Sequence, residues 1–424
     1  MHHRQGHPTS GLLLRAYLLA SKAIPLVAQP VLRRRLAKGK EDPARWREKL
    51  GLPSLGRPTG RLVWLHAVGL GEVLALRGLI SEMSGLAPDL HFLVTSSAKS
   101  SAKVMAANLP LRSVHQFLPL DAPVYLERFL DHWRPDLSVW AEQEVWPGAV
   151  VALSRRNIPM ALVNARITQK SYLRRKRAAG LFADLYRRFS LVAAQEEETA
   201  LRLTQLGASD VQVTGSLKSA APPLGVDSDE LARLQTLLAS RKVWVAASTH
   251  AEDEVEVLRA LPQLGLDFLT ILAPRDIGRA DEIAATLTEN GISFVRRSQG
   301  QVPGAQTRVW LADSYGELGI WYRLSKVALV GGAFGKVGGH NPWEPAVLGV
   351  PILHGQNTAN FAADYDLLDS KNASKLVQPG GLAKAVLNPD LGPMGERARA
   401  MAALAKGKVA PLAADLVALI SRKE

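Results

Sequence analysis

Leu329-Val-Gly-Gly-Ala-Phe-Gly-Lys-Val-Gly-Gly-His-Asn-Pro-Trp-Glu-Pro-Ala-Val-Leu-Gly-Val-Pro-Ile-Leu353 is the stretch on which the reading of this chain turns. The apolar run ending at Val330 has the composition of a buried parallel strand, and a second run, Pro351–Leu353, closes the stretch. Between them Gly331, Gly332, Gly335, Gly338 and Gly339 let backbone N–H groups turn toward a ligand with no Cβ in the way, as a phosphate requires. Pro342 suits the start of a helix whose N-terminal dipole favours an anion, and Glu344 falls in its first turn. A carboxylate repels phosphate but accepts well from ribose hydroxyls, so a nucleotide carrying a sugar is one expectation. A glycine-rich turn between strand and helix, with Glu344 complementing the dipole, accounts for the same residues.

Outward from this stretch the same alternation runs in both directions. Short apolar segments Val243–Ala247, Leu269–Leu272, Ser293–Val295 and Val309–Leu311 precede it, separated by helical patterns. An earlier series, Leu62–Leu65, Phe92–Thr95, Leu137–Trp140, Met160–Val163, Leu191–Ala194 and Val211–Val213, repeats the theme. Strands alternating with helices imply α/β architecture with parallel, doubly wound sheets. Ser219–Asp229, with Pro222-Pro223 and Gly225, reads as a linker, so two Rossmann-like domains facing a cleft are expected. Their expected bounds are 41–222 and 223–424, after an N-terminal anchor over 1–40. Met394–Ile420 is Ala-rich and amphipathic, suited to a helix packed across a domain or back over the hinge.

At 424 residues the chain has room for two full cores, and 47% hydrophobic against 21% charged residues places it among folded proteins. Net charge is +13, which suits nucleic acid, an anionic membrane or a phosphorylated substrate. The excess gathers in Arg33-Arg34-Arg35, Lys38, Lys40, Arg45 and Arg47, and again from Lys170 to Arg188. No aromatic-interleaved RNA motif or helix-turn-helix pattern accompanies these runs, so no nucleic-acid partner is expected. The absence of cysteine fits a reducing compartment, and the histidines lack paired ligand spacing, so no metal site is expected. Leu12–Leu32 is largely apolar but interrupted by Arg15, Lys22, Pro25 and Pro30. A basic amphipathic anchor fits it better than a spanning helix, and a plain N-terminal helix packed on the domain also fits.

Ligands of open α/β sheets gather at the carboxyl ends of strands. There the first half places His66-Ala-Val-Gly-Leu-Gly-Glu72, with Glu72 at the opening turn of a helix, able to take a proton from an acceptor hydroxyl or merely to complement the dipole. It also places Glu142-Gln-Glu144, whose carboxylates point the same way in extended chain, and Thr214-Gly-Ser-Leu-Lys218, whose lysine can meet a carboxylate or phosphate. The second half places Ser248-Thr249-His250, Pro274-Arg275 and Gly316-Glu317-Leu318 after its strands.

In this order the motifs resemble the 3-deoxy-D-manno-octulosonic acid (Kdo) transferases of lipopolysaccharide synthesis, which have the glycosyltransferase B fold. The resemblance runs from Lys40-Glu-Asp-Pro-Ala-Arg-Trp-Arg-Glu-Lys-Leu-Gly51 through Gly71-Glu72, Glu142-Gln-Glu-Val-Trp-Pro147, Asn164-Ala-Arg166, Gly215-Ser-Leu-Lys218, Ala247-Ser-Thr-His250 and Gly338-Gly-His-Asn-Pro-Trp-Glu-Pro-Ala346. It implies transfer of Kdo from CMP-Kdo to the lipid A precursor at the cytoplasmic face of the inner membrane, with inversion, without a metal and without any other cofactor. Anionic inner-membrane lipids are an implied partner. Glu72 matches the family's general base, and Glu142 and Lys218 match groups that support the transition state. Pro274, Arg275, Gly316, Glu317, Leu318, Asn341, Pro342, Trp343 and Glu344 match its CMP contacts. A nucleotide-sugar epimerase of the same fold, or a non-catalytic membrane-bound nucleotide-sugar-binding protein, are the alternatives.

Overall fold

A computed structural model describes residues 10–68, 70–97, 110–220 and 222–421, with the side chains of residues 70–74 left out of the description. The chain forms two compact units, Met1–Ala221 with Ala405–Glu424, and Pro222–Leu404.

Among the described residues the first unit holds a seven-stranded parallel sheet in the order β3-β2-β1-β4-β5-β6-β7. The strands are β1 (Leu62–His66), β2 (His91–Ser96), β3 (Ser113–Phe117), β4 (Leu137–Ala141), β5 (Met160–Ala165), β6 (Leu191–Ala194) and β7 (Val211–Val213). Every residue of β1, β4, β5 and β6 is buried, because helices cover both faces of the sheet. Side chains alternate between two cores: Leu62 and Trp64 join Phe129, Trp133 and Trp140, whereas Val63 and Leu65 join Leu76, Leu79 and Ile80.

The second unit has the corresponding sheet, ordered β10-β11-β9-β8-β12-β13-β14 and again parallel. Its strands are β8 (Lys242–Thr249), β9 (Phe268–Pro274), β10 (Phe294–Arg296), β11 (Val309–Leu311), β12 (Ala328–Val330), β13 (Ile352–His354) and β14 (Ser374–Leu376). Two Rossmann-like units are therefore present. Each gains an edge strand that the apolar runs do not announce. Ser113-Val-His-Gln-Phe117 carries polar residues, yet His115 and Gln116 are buried by bonding Ser96 and Trp133; in β14 Lys375 and Leu376 are exposed.

The N-terminal anchor is not one helix. Leu12–Ser21 and Ile24–Ala37 are separate and bent by 55°, and among the described residues no single helix is long and apolar enough to cross a membrane. Lys22 and Ala23 close the first helix by donating to Leu19 and Ala20, and Pro25 opens the second where its missing N–H costs nothing. One face packs inward: Leu14 enters the first core, Ala28 and Leu32 meet Trp46, Leu50 and Tyr125, and the Tyr17 hydroxyl donates to Asp121 at 2.7 Å. The other face leaves Leu12, Leu13, Leu19, Leu26, Val27 and Val31 exposed.

The expected C-terminal helix runs over Leu391–Ser421, with Pro411 inside it. Its Ala398 and Ala402 pack with Trp343 and Tyr365 of the second unit. Beyond that, Val409, Leu412, Ala413, Leu416 and Ile420 cover the Val63–Leu65 face of the first sheet.

Candidate active site

The carboxyl ends of β1, β4 and β5 lie side by side, since Trp64 pairs with Ser138 and Val139 with Ala161. The backbone of Glu72 lies in the opening turn of the helix Leu70–Leu86, as expected, but its side chain, like Gly69, lies outside the described residues. After β4 the chain does not stay extended. Glu142 is left-handed, with φ +61°, while its N–H donates to Val163 at 3.0 Å. This turn separates the two carboxylates that extended chain would place together. Glu144 is exposed and accepts from Trp146 Nε1 at 3.0 Å, whereas Glu142 Oε1 lies 3.1 Å from Lys218 Nζ.

Lys218 stands on a short 3-10 turn, Leu217–Ala220, entered through Gly215 at φ +79°. Both members of the pair are mostly shielded, with side chains 17% and 16% exposed. Removing either partner would leave a charge with little water to screen it, so each fixes the other's position. Asn164 at the end of β5 contacts both segments, donating toward Glu142 and accepting from Leu217.

Beneath this edge His66 is fully buried, and burial pushes its imidazole down to about 4. Its Nδ1 lies 3.2 Å from the Thr95 carbonyl and 3.0 Å from Thr95 Oγ1. A proton on Nδ1 serves both contacts, and Nε2 has no hydrogen-bond partner among the described residues. The ring is edge-on to Trp140 and Trp146, which flank the Glu142 segment.

In the second unit the glycine loop after β12 differs from the expected phosphate cradle. The carboxylate of Asp253, 0% exposed, accepts from Gly332 at 2.7 Å, Phe334 at 3.2 Å and His250 at 2.9 Å. Gly338 and Gly339 donate to Gly332, and His340 to Gly331. The loop thus folds on an internal anion. The hydroxyl of Thr249 is likewise spent on Glu254 at 3.1 Å.

What gathers at this edge is a set of side chains. Arg275 directly follows β9, its N–H bonded to Thr249, and its guanidinium is exposed with no ion pair among the described residues. His340 and His250 stack with their Nε2 atoms 2.9 Å apart. Burial, together with Arg275 and His250, lowers His340 to about 4, so it stands neutral. Burial raises the Glu344 carboxyl to about 7 against the opposing pull of Arg275 and a hydrogen bond with Asn341. Asn341 Oδ1 also accepts from the Trp343 N–H at 3.1 Å, just ahead of the short helix Trp343–Ala346.

The remaining implied contacts fall differently. Pro342 is buried, and Trp343, 3% exposed, lies in the core with Nε1 donated to Asp364 at 2.8 Å. Glu317 accepts from Arg297, which lies over the rings of Trp310 and Trp321, and from Ser314. Gly316, at φ +88°, and the partly buried Leu318 flank it at the start of the helix Leu318–Leu324, and Pro274 ends β9.

A family profile described as 3-Deoxy-D-manno-octulosonic-acid transferase (kdotransferase) matches residues 44–221. A 3-deoxy-D-manno-octulosonic acid transferase of Rickettsia bellii is 31% identical over 368 residues, 86% of this chain and 88% of that protein. The chain belongs to the Kdo transferase family. A second relative of that name, from Rickettsia felis, is 36% identical over 297 residues, which span 69% of this chain and 64% of the relative. Among solved structures, UDP-GlcNAc 2-epimerase from Neisseria meningitidis bound to UDP-GlcNAc is 14% identical with a TM-score of 0.55, covering 84% of this chain and 99% of that one. That likeness is one of fold, the two-unit parallel-sheet architecture of the glycosyltransferase B type.

In this member of the family, the first unit brings Glu142 and Lys218 together, and the second brings Arg275, His340, Asn341 and Glu344 to one sheet edge. Sequence reasoning gave no role to Asn164, His66 or Asp253. His66 ends β1 and Asn164 is the penultimate residue of β5, which was a usable signal; Asp253 lies inside an acidic helix start and offers none.

Proposed function

We propose that the protein transfers Kdo from CMP-Kdo to a lipid A precursor, with inversion, at the cytoplasmic face of the inner membrane. The observation that carries the family's reaction to this chain is the Glu142–Lys218 ion pair, at the sheet edge from which the helix bearing Glu72 starts. Glu72 takes the proton from an acceptor hydroxyl, whose oxygen bonds to the anomeric carbon of Kdo. The bond from that carbon to the phosphate oxygen breaks, and its electron pair leaves with CMP. Lys218, oriented by Glu142, offsets the negative charge of the Kdo carboxylate or the departing phosphate.

In the second unit Pro274, Arg275, Gly316, Glu317, Leu318, Asn341 and Glu344 hold CMP, with the buried Pro342 and Trp343 supporting Asn341 and Glu344 from the core. Arg275 is the cation for its phosphate, and a Glu344 carboxyl near about 7 both donates to and accepts from ribose hydroxyls. No metal takes part in this scheme. The exposed face of the bent N-terminal helices, beside Arg33 and Arg34, supports seating on an anionic lipid surface.

Mass spectrometry of a tetra-acylated lipid A precursor incubated with the protein and freshly generated CMP-Kdo tests the reading. A gain of Kdo mass that vanishes with Glu72→Gln and falls sharply with Lys218→Ala is expected. Full turnover by either variant would refute the assigned roles, and no gain with wild type would refute the reaction.

A further inference from the structure

The penultimate residue of β5 has no part in the scheme above. Asn164 is 1% exposed and left-handed, φ +53°, where the pairing of β5 with β6 shifts register between Leu162 and Ala165. Asparagine is one of the few residues with a Cβ that adopt this conformation readily. Both ends of its amide are engaged. Oδ1 accepts the N–H of Leu217, the residue before Lys218, at 2.9 Å. Nδ2 donates toward Glu142 Oε1 at 3.5 Å, the same oxygen that Lys218 Nζ approaches at 3.1 Å. The backbone carbonyl accepts from Gln195 Nε2 at 2.9 Å, which pins the turn itself. Because the Leu217 N–H can only donate, the amide has one orientation, with its donor toward Glu142.

Three segments leave extended geometry at this edge: after β4 at Glu142, at the end of β5 at Asn164, and after β7 at Gly215. One buried amide ties them. Left-handed residues held by their surroundings concentrate where geometry serves function. We propose that Asn164 is a positioning residue for the Glu142–Lys218 pair, fixing which carboxylate oxygen meets the ammonium and where the lysine segment sits. It touches no substrate itself. This rests on the reading of Glu142 and Lys218 as groups of the transfer reaction.

Two substitutions separate the side chain's bonds from the backbone's conformation. Asn164→Gly tolerates the positive φ and removes both bonds. Asn164→Asp keeps the acceptor for Leu217 and turns the donor into a carboxylate facing Glu142. Steady-state turnover of both, beside wild type and Lys218→Ala, should show kcat falling by about 10- to 100-fold with KM for CMP-Kdo within about twofold. The pH profile of kcat should move in Asn164→Asp, which places a second carboxylate beside the pair. In parallel, acetic anhydride labelling with peptide mapping, with exposed Lys170 as internal standard, should change the labelling rate of Lys218 by about threefold or more in both variants.

Labelling needs no turnover, so it decides the positioning role even if wild type forms no product; in that case the proposed reaction fails on its own. Wild-type kcat in both variants, or Lys218 labelling unchanged in both, overturns the inference. A fall in kcat that tracks only a fall in melting temperature, with labelling unchanged, does the same.

Discussion

Mild acid should weaken the first unit and spare the second. His66 and His115 are buried in the first unit and each is pushed down to about 4, His66 by burial alone and His115 by burial and the neighbouring Arg45 guanidinium. Arg45 Nη2 can only donate to His115 Nδ1 at 3.2 Å, so Nε2 carries the proton that meets Ser96 at 2.9 Å and a second proton has no place. In the unfolded chain both imidazoles titrate near about 6.5. Between these values the unfolded state binds protons that the folded state refuses, so stability is full above about pH 6.5 and falls as the pH drops toward about 4. From about pH 7 to 5 each histidine costs about 2 kcal/mol, or about 4 kcal/mol for the pair. Burial holds the Asp121 carboxyl above its usual range against the pull of three donors, which works in the opposite direction, so this is an upper figure.

In the second unit His340 loses a similar amount, but Glu344 has the opposite sign. Raised to about 7, it is protonated when folded while its unfolded counterpart is still ionised, a gain of about 2 kcal/mol over the same interval. The two cancel. Carboxylates held low, such as Glu230 at about 2 beside Arg233 and Arg297, act only in stronger acid. Hydrogen exchange at about pH 7 and 5, corrected for intrinsic rates, resolves the units. Amides of β1, β2 and β4 should lose protection while those of β8, β9 and β12 hold, and His115→Gln should roughly halve the loss. Equal loss in both units, or none in the first, would refute the reasoning.

Three further outcomes are expected. Asp253→Ala orphans three N–H groups at about 1–3 kcal/mol each, so thermal unfolding of the second unit should come about 10 °C or more earlier; a fall under about 3 °C would mean the loop does not depend on that carboxylate. Lys218→Ala should lower kcat about 100- to 1000-fold and Lys218→Arg less, measured as Kdo transferred per minute; equal losses would remove charge as the lysine's contribution. Leu26→Asp with Val27→Asp should abolish flotation on vesicles rich in anionic lipid without changing the melting temperature by more than about 2 °C, because both side chains already face water; undiminished flotation would place the lipid contact elsewhere.

The central strands were legible because helices bury both of their faces, which forces unbroken apolar runs such as Leu62–Leu65 and Val243–Ala247. Edge strands are released from that demand, and β3 hides among polar residues that find partners only in three dimensions. The glycines after β12 announced a loop needing freedom at Gly332, Gly338 and Gly339, all at positive φ. Composition could not say that an aspartate 79 positions earlier would take its N–H groups. Glu142 and Lys218 were singled out by their places after strands, but their pairing depends on a left-handed turn at Glu142 and on Asn164, neither written in local spacing. Trp343, placed beside nucleotide contacts by the motif, fills the core, since an indole next to Tyr365 and Ala402 gains more from burial than from solvent.

The helix Leu391–Ser421 imposes an order on synthesis. Residues that complete the first sheet, Val409 to Ile420, leave the ribosome only after the whole of the second unit has been made. Until then the Val63, Leu65 and Val139 face lacks part of its cover and is exposed to other chains, whereas Pro222–Leu404 is contiguous and can close on itself first. The half of the protein that is translated first is thus the half that matures last.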